Sequence, residues 1–219
     1  MRPALIFDLD GTLIDSAPAI HKVSNDVLTA RGYAPLDLAQ IRSFVGQGAP
    51  HLVRSLLTTA GEDPEGPLFD ALYEDLVTRY ETDVEGNTPY PGVITALQRL
   101  AALGCPMAIT TNKPYKPALA AIAHVGLSDY FQLVIGGDSL PTRKPQPEMV
   151  HEAHRLLRRD RALYIGDSEI DAQTAENAGL PFLIYTEGYR KTPVENLPHA
   201  AQFNDFSLLP GLVEGWRWS

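Results

Sequence analysis

The sequence predicts an α/β fold, in which helices cover both faces of a parallel β-sheet and a helical block is inserted after the first strand. Five short apolar runs recur along the chain without alternating polar residues, a pattern typical of strands buried on both faces. Helical patterns separate most of these runs, which indicates parallel strands joined by right-handed crossovers. Residues 15–85 show helical patterns alone.

The predicted strands are short, and polar or turn-forming residues follow each of them. They span residues 4–7, 107–110, 133–135, 162–165 and 181–185. Between the later strands, apolar residues at helical spacing stop at glycines, which commonly terminate helices. Three core helices end in this way near Gly104, Gly126 and Gly179, and another begins at Pro147. This alternation predicts a Rossmann-like core.

The inserted block contains four predicted helices. The first carries an apolar stripe that begins at Ile20, and the fourth carries one that begins at Leu68. Pro35 and Pro50 are expected to begin the second and third helices, because proline is favoured in the first turn. The predicted boundaries are residues 1–14 and 86–219 for the core and residues 15–85 for an all-helical cap.

Charge and cysteine content restrict the classes of function. The 219-residue chain has 18 lysines and arginines against 27 acidic residues, a formal net charge of -9, which disfavours a nucleic-acid partner. A small anionic substrate is still compatible, because a few local cations or a metal can reverse the field inside a cleft. No apolar run approaches the roughly 18 residues that a membrane span needs, and the single Cys105 cannot form an internal disulfide. We expect a cytoplasmic protein, monomeric or homodimeric, without a membrane partner.

Polar residues follow four of the predicted strands. Asp8 and Asp10 come after the first strand, Thr111 after the second and Asp167 after the fourth, while Lys144 lies in the loop beyond the third. Ligands of open parallel sheets bind at the carboxyl ends of the strands. These side chains are therefore expected to converge in one site.

Three carboxylates at one sheet edge indicate a metal site. As an isolated pair, Asp8 and Asp10 could equally be turn formers before Gly11. Asp167 at an equivalent strand end favours a metal, because gathered carboxylates repel unless a cation neutralises them. Oxygen ligands favour Mg²⁺ over zinc, and no histidines or cysteines are suitably spaced. We expect Mg²⁺ at Asp8, Asp10 and Asp167.

Lys144 and Thr111 predict a phosphate site beside this metal. Lysine supplies a point charge, and the threonine hydroxyl and nearby backbone amides supply hydrogen-bond donors. A lone exposed lysine would indicate little, but Lys144 lies beside Pro145 in the loop after the third strand. A phosphoryl group held between the metal and Lys144 would leave Asp8 as an in-line nucleophile.

These motifs resemble those of the haloacid dehalogenase-like superfamily of phosphohydrolases. The stretch FDLDGTL at residues 7–13 looks like its first motif, and Thr111, Lys144 and residues 166–171 stand in the order of the other three. Three further stretches are similar to bacterial phosphoglycolate phosphatases. They are YPGV at residues 90–93, TNKP at residues 111–114, and GGDSLP followed by RKP within residues 136–145.

The resemblance implies a Mg²⁺-dependent phosphomonoester hydrolase that works through an aspartyl-phosphate. Asp8 would attack the phosphorus, and Asp10 would protonate the leaving oxygen and then activate water. The inserted cap would close over the site and exclude water. The groups that hold the metal and the phosphoryl oxygens would be Asp8, Asp167, the backbone carbonyl of Asp10, Thr111, Lys144 and, in a supporting position, Asp171.

The resemblance also nominates a small phosphorylated metabolite, 2-phosphoglycolate, as the substrate. Its carboxylate would need a cation or amide donors. The candidates for this carboxylate are Gly46, Gln47, Gly48 and Arg54 in the cap, and Asn112 beside Thr111 is also expected to contact the substrate. The glycine-rich turn is equally typical of an ordinary interhelical loop, although its backbone N–H groups could bind an anion.

Two other functions would need a similar set of acids, threonine and lysine. A phosphosugar phosphatase or mutase of the same fold would use the same groups, and a mutase would return the phosphoryl group from Asp8 to the substrate. A receiver, which is a phospho-acceptor signalling module, also combines acids, threonine and lysine around a phosphorylated aspartate. Its acids would come early as an adjacent pair, and it lacks an inserted cap, so the order of the motifs disfavours it.

Overall fold

The structure, a computed structural model, describes residues 2–218 and confirms the α/β fold. Its strands are β1 (Ala4–Phe7), β2 (Ile14–Asp15), β3 (Thr88–Pro89), β4 (Met107–Thr110), β5 (Leu133–Ile135), β6 (Ala162–Gly166), β7 (Phe182–Tyr185) and β8 (Ala201–Phe203). Its α-helices are α1 (Ala17–Thr29), α2 (Leu38–Phe44), α3 (Ala49–Thr59), α4 (Phe69–Thr82), α5 (Val93–Ala102), α6 (Tyr115–His124), α7 (Glu148–Leu157), α8 (Glu169–Ala178) and α9 (Leu209–Glu214).

Six strands form a parallel sheet in the order β5-β4-β1-β6-β7-β8. β1 lies inside the sheet, between β4 and β6. Its side chains alternate between two hydrophobic cores, because Leu5 and Phe7 enter one core while Ala4 and Ile6 enter the other. Burial on both faces explains the continuous apolar runs in the sequence.

The structure differs from the sequence prediction at a few elements. β8 and α9 were not expected, and β8 lies at the sheet edge with an exposed Gln202 in its middle, so it has no continuous apolar run. α2 begins at Leu38 and not at Pro35. The reason is a capping box, in which the Asp37 side chain accepts from the Gln40 backbone amide and the Gln40 side chain accepts from the Asp37 backbone amide.

The inserted helices have a hydrophobic cluster of their own, distinct from the two clusters that cover the faces of the sheet. The chain enters the insert at β2 and leaves it near β3. These two strands pair antiparallel, Ile14 with Pro89 and Asp15 with Thr88. The two connections therefore lie side by side at the predicted ends of the insert.

Candidate active site

The polar side chains predicted to converge lie together at the carboxyl end of the sheet. Asp8, Thr111 and Asp167 directly follow β1, β4 and β6, and Lys144 lies in the loop after β5. With Asp10, they line a cavity of about 350 Å³. The inserted helices and the loops beside them contribute apolar and aromatic wall residues, among them Ile20, Phe44, Leu52 and Tyr80.

Lys144 is the central cation of this site. Its Nζ donates hydrogen bonds to Asp8 Oδ1 at 2.5 Å, to Asp171 Oδ1 at 2.8 Å and to the Tyr164 hydroxyl at 3.1 Å. All four side chains are buried. Burial alone would lower the pKa of Lys144, but the carboxylates of Asp171 and Asp8 raise it well above its usual value. A charged ammonium is therefore fixed beside Asp8.

Asp171 supports Lys144, and its own oxygens are occupied. Oδ1 accepts from Lys144 and from the Tyr164 hydroxyl, the latter at 2.9 Å. Oδ2 accepts from Ser168 Oγ at 2.7 Å and from the backbone amides of Asp167 and Ser168, both at 3.2 Å. Burial opposes ionisation of Asp171, but the charge of Lys144 and these hydrogen bonds lower its pKa. Asp171 therefore has little capacity for a further ligand.

Asp8 and Asp167 place two more carboxylates beside Asp171. The Thr12 hydroxyl donates to Asp167 Oδ1 at 2.8 Å and to Asp8 Oδ2 at 3.4 Å, and the Tyr189 amide donates to Asp167 Oδ2 at 2.6 Å. Burial raises the pKa of Asp8 to about 7, and burial with the neighbouring carboxylates raises the pKa of Asp167 well above its usual value. Carboxylate oxygens of the three aspartates lie within 4.8 Å of one another. This buried cluster fits a metal ion.

The side chain of Asp10 lies outside the carboxylate cluster, so the metal ligand that this position is predicted to offer is its backbone carbonyl. It is paired with Lys113, whose Nζ donates to Oδ1 at 3.2 Å and to Oδ2 at 3.5 Å. The same ammonium lies 5.2 Å from the ring centroid of Tyr80, on α4. Lys113 lies within a motif recognised in the sequence, but its contact with Asp10 was not predicted.

Thr111 and Asn112 connect the end of β4 to the loop that carries Lys144. Asn112 Nδ2 donates to the Lys144 carbonyl at 3.1 Å and to the Gly46 carbonyl at 3.0 Å, and Oδ1 accepts from the Lys144 amide at 3.0 Å. Thr111 is buried, and its Oγ1 accepts from the Lys113 amide at 3.1 Å. Asn112, which is expected to contact the substrate, lines the cavity, and the hydrogen bonds of its side chain are made to the protein backbone.

The glycine-rich turn of the insert reaches the cavity. Gly46, Gln47 and Gly48 all line it. Gly48 precedes α3 with φ +87°, and a Cβ there would overlap the backbone carbonyl oxygen of Asn112. The turn therefore needs glycine at this position, both for its left-handed backbone and for its close approach to the core.

Arg54 lies outside the cavity, contrary to the expectation that it contacts the substrate. Its Nε donates to Glu65 Oε1 at 2.5 Å, and its guanidinium lies 5.0 Å from the ring centroid of Phe69. The face of α3 that borders the cavity carries Ala49 and Leu52. Arg54 is on another face of the helix, because helical periodicity rotates it away from them.

Tyr189, in the loop after β7, joins the carboxylate cluster to the beginning of the insert. Its amide bonds to Asp167, and its hydroxyl donates to Asp15 Oδ1 at 2.6 Å. The hydroxyl also accepts from the backbone amides of Ser16 at 2.7 Å and Ala17 at 2.9 Å. Tyr189 could not be predicted from the sequence, because no recognised motif covers this loop.

A family model described as haloacid dehalogenase-like hydrolase matches residues 5–185. That range contains the catalytic motifs predicted from the sequence together with the inserted helices. The chain belongs to this family. It is therefore an enzyme of the hydrolase class, and the suspected family resemblance is confirmed.

Similar proteins agree with this assignment. The hydrolase is 87% identical over 219 residues to a phosphoglycolate phosphatase of Rhodobacter capsulatus, with 100% of both chains covered. It is 42% identical over 212 residues to a phosphoglycolate phosphatase of Cereibacter sphaeroides, covering 96% of this chain and 97% of that one. The crystal structure of a predicted phosphoglycolate phosphatase from Haemophilus somnus 129pt matches with a TM-score of 0.89 and 26% identity, covering 96% and 97%. Within residues 2–218, no helix has the length and apolar character to cross a membrane.

Proposed function

We propose that this hydrolase is a Mg²⁺-dependent phosphatase that converts 2-phosphoglycolate to glycolate and phosphate. The observation that carries the proposal is the buried pair of Asp8 and Lys144, 2.5 Å apart, beside the carboxylate of Asp167 in one cavity. Identity of 87% along the whole chain to a phosphoglycolate phosphatase supports this substrate.

The carboxylate cluster supports Mg²⁺ as the metal. Its donors are all oxygen atoms, which a hard cation prefers. Because Asp171 is occupied by Lys144 and by backbone amides, we expect Asp8, Asp167 and the backbone carbonyl of Asp10 to hold the ion. When bound, Mg²⁺ supplies positive charge that stabilises the phosphoryl oxygens in the transition state.

Asp8 is the proposed nucleophile. A carboxylate oxygen of Asp8 attacks the phosphorus while the bond between phosphorus and the leaving oxygen breaks, which leaves an aspartyl-phosphate. The Lys144 ammonium and the Thr111 hydroxyl bind the phosphoryl oxygens, and both side chains are already held in place by buried contacts.

Asp10 is the proposed acid and base. It protonates the glycolate oxygen as that oxygen leaves, and it then accepts a proton from the water that attacks the aspartyl-phosphate. This second step releases phosphate and regenerates the Asp8 carboxylate. The contact with Lys113 keeps the Asp10 carboxylate at the cavity wall.

The inserted helices, residues 15–85, are the proposed cap of a core formed by residues 1–14 and 86–219. They supply wall residues to the cavity and so exclude water from the reacting groups. The cavity of about 350 Å³ is near the small end of ligand sites, which suits a small phosphate ester. Gly46, Gln47 and Gly48 lie where they could contact its leaving group.

A panel of phosphomonoesters assayed with Mg²⁺ tests the proposal. We expect the highest kcat/KM for 2-phosphoglycolate, with lower values for hexose phosphates and for p-nitrophenyl phosphate. Equal turnover of a hexose phosphate would contradict the substrate assignment. Return of the phosphoryl group to a sugar phosphate, with dependence on a bisphosphate activator, would identify a mutase.

A further inference from the structure

Three basic side chains line the catalytic cavity, namely Lys113, Lys144 and Lys191. Lys144 is bonded to Asp8 and Asp171, and Lys113 is bonded to Asp10. The ammonium of Lys191 has no carboxylate oxygen within 4.0 Å among residues 2–218. Of these three lysines, Lys191 is therefore the one without an ion-pair partner among residues 2–218.

The backbone of Lys191 is fixed to the catalytic core. Its amide donates to Glu169 Oε1 at 2.6 Å, and the amide of Thr192 donates to the same oxygen. Glu169 is the first residue of α8 and lies two positions after Asp167. The Glu169 carboxylate therefore accepts hydrogen bonds from two backbone amides, and these bonds hold the loop of Lys191 close to the carboxylate cluster.

Lys191 lies in the loop after β7 and lines the cavity together with residues of the inserted helices, such as Leu52 on α3. Burial lowers the pKa of His51, on the same helix, and the nearby charges of Lys191 and Arg54 lower it further. Lys191 is exposed, so its flexible stem can carry the charge to the rim of the cavity.

The proposed substrate needs such a group. Lys144 and the metal serve its phosphate, whereas its carboxylate would enter a protein with a net charge of -9. Arg54 lies outside the cavity, where it is paired with Glu65, so it is not placed to bind this carboxylate. We infer that Lys191 binds the carboxylate of 2-phosphoglycolate and selects for it, an inference that rests on the proposed function.

Kinetics of wild type, Lys191→Met and Lys191→Arg test this inference on three substrates. They are 2-phosphoglycolate, its uncharged amide carbamoylmethyl phosphate, and p-nitrophenyl phosphate. In Lys191→Met we expect kcat/KM for 2-phosphoglycolate to fall about 10- to 100-fold, mainly through KM, with the other two substrates changed less than about 3-fold. Lys191→Arg keeps the charge and should retain most of the preference. Lys116→Met, at an exposed position of α6 outside this cavity, is the matched control for loss of one lysine.

The outcomes separate the two proposals. If wild type does not prefer 2-phosphoglycolate to its amide, the proposed substrate is wrong, whatever the variants do. If wild type shows the preference and Lys191→Met keeps it, the role of Lys191 is wrong while the proposed function stands. An equal fall on all three substrates would make Lys191 a structural residue and would also overturn the inference.

Discussion

The ammonium of Lys113 lies 3.2 Å from one carboxylate oxygen of Asp10 and 3.5 Å from the other. Only 6% of the Lys113 side chain and 12% of the Asp10 side chain are exposed, so this ion pair is shielded from water. Asp10 therefore has a cation of its own, separate from the Lys144 ammonium beside Asp8. We expect Lys113 to orient the Asp10 carboxylate for its proposed role in proton transfer.

Replacing Lys113 tests this relationship. Lys113→Met should lower kcat for 2-phosphoglycolate by about 10- to 100-fold, because a shielded carboxylate loses its charged hydrogen-bond partner. Lys113→Arg keeps the charge and should lose less activity. Steady-state kinetics measure the effect, with Lys116→Met as the control. An unchanged kcat in Lys113→Met would show that Asp10 needs no such partner.

The convergence of the catalytic groups could be predicted from the sequence. Asp8 and Asp167 are 159 positions apart (167 − 8), but they follow β1 and β6, which are adjacent in the sheet. Parallel strands present their carboxyl ends at one edge, so the order of strands and polar residues is enough to bring them together. Lys144 and Thr111 follow from the same argument.

Other parts of the site depend on details that sequence patterns do not encode. Tyr189 contacts the start of the insert from a loop whose path only the tertiary structure defines. Arg54 was predicted to contact the substrate because it follows the glycine-rich turn closely in sequence. It lies two residues beyond Leu52, which is about 200° around a helix, so it faces away from the cavity that Leu52 lines.

Asp8→Asn and Asp10→Asn should fail at different steps. Asp8→Asn removes the proposed nucleophile, so no covalent phosphoenzyme should form. Asp10→Asn keeps the proposed nucleophile but removes the proposed proton transfer, a step that typically contributes ~10²–10⁴-fold to the rate. Mass spectrometry of both variants after mixing with 2-phosphoglycolate checks the assignment. A phosphoryl adduct at another residue of Asp8→Asn would refute it.

Mg²⁺ should raise the melting temperature more at about pH 8 than at about pH 5. Burial raises the pKa of Asp8 from 3.8 to about 7, so the metal-free folded protein retains a proton that the unfolded chain has released. Protonation of Asp8 therefore adds to the free energy of unfolding. This contribution is fully present below the pKa of Asp8 in the unfolded chain, and it is lost as the pH rises through the pKa of Asp8 in the folded protein. Mg²⁺ competes with the proton, so its effect grows as the proton leaves.

Calorimetry with and without Mg²⁺ at both pH values measures this difference. Titrating groups that the metal does not contact affect both samples alike, so their effect on the melting temperature drops out of the comparison. Chelation should also abolish turnover, and added Mg²⁺ should restore it. Full activity in metal-free buffer would contradict the metal requirement. A shift in melting temperature that is the same at both pH values would show that the metal does not compete with the proton on Asp8.

Gly188→Ala should weaken metal binding. A methyl group at Gly188 would overlap the Asp167 carboxylate and displace it. Because Asp167 is a proposed metal ligand, its displacement is expected to raise the Mg²⁺ concentration for half-maximal activity by about 10-fold or more. Gly211→Ala is the control, because a Cβ there has no atom within 4 Å. If both variants need the same Mg²⁺ concentration, the position of Asp167 does not determine metal affinity.

Tyr189→Phe should destabilise the junction between insert and core without changing the metal requirement. The hydroxyl accepts from the amides of Ser16 and Ala17 and donates to Asp15. Its removal leaves the Ser16 amide without a partner, and leaves Ala17 and Asp15 with only their mutual hydrogen bond of 3.3 Å. We expect the free energy of unfolding to fall by about 1–3 kcal/mol, as measured by urea denaturation. The Mg²⁺ requirement should stay unchanged, because the bond to Asp167 comes from the Tyr189 backbone.

Tyr115→Phe is the matched control for Tyr189→Phe, since the exposed Tyr115 begins α6 away from the junction. It loses a hydroxyl in the same way, but we expect its unfolding free energy to change by less than about 0.5 kcal/mol, as for an ordinary surface substitution. Similar losses in the two variants would show that the Tyr189 hydroxyl does not stabilise the junction. A raised Mg²⁺ requirement in Tyr189→Phe alone would show instead that the hydroxyl also helps to position Asp167.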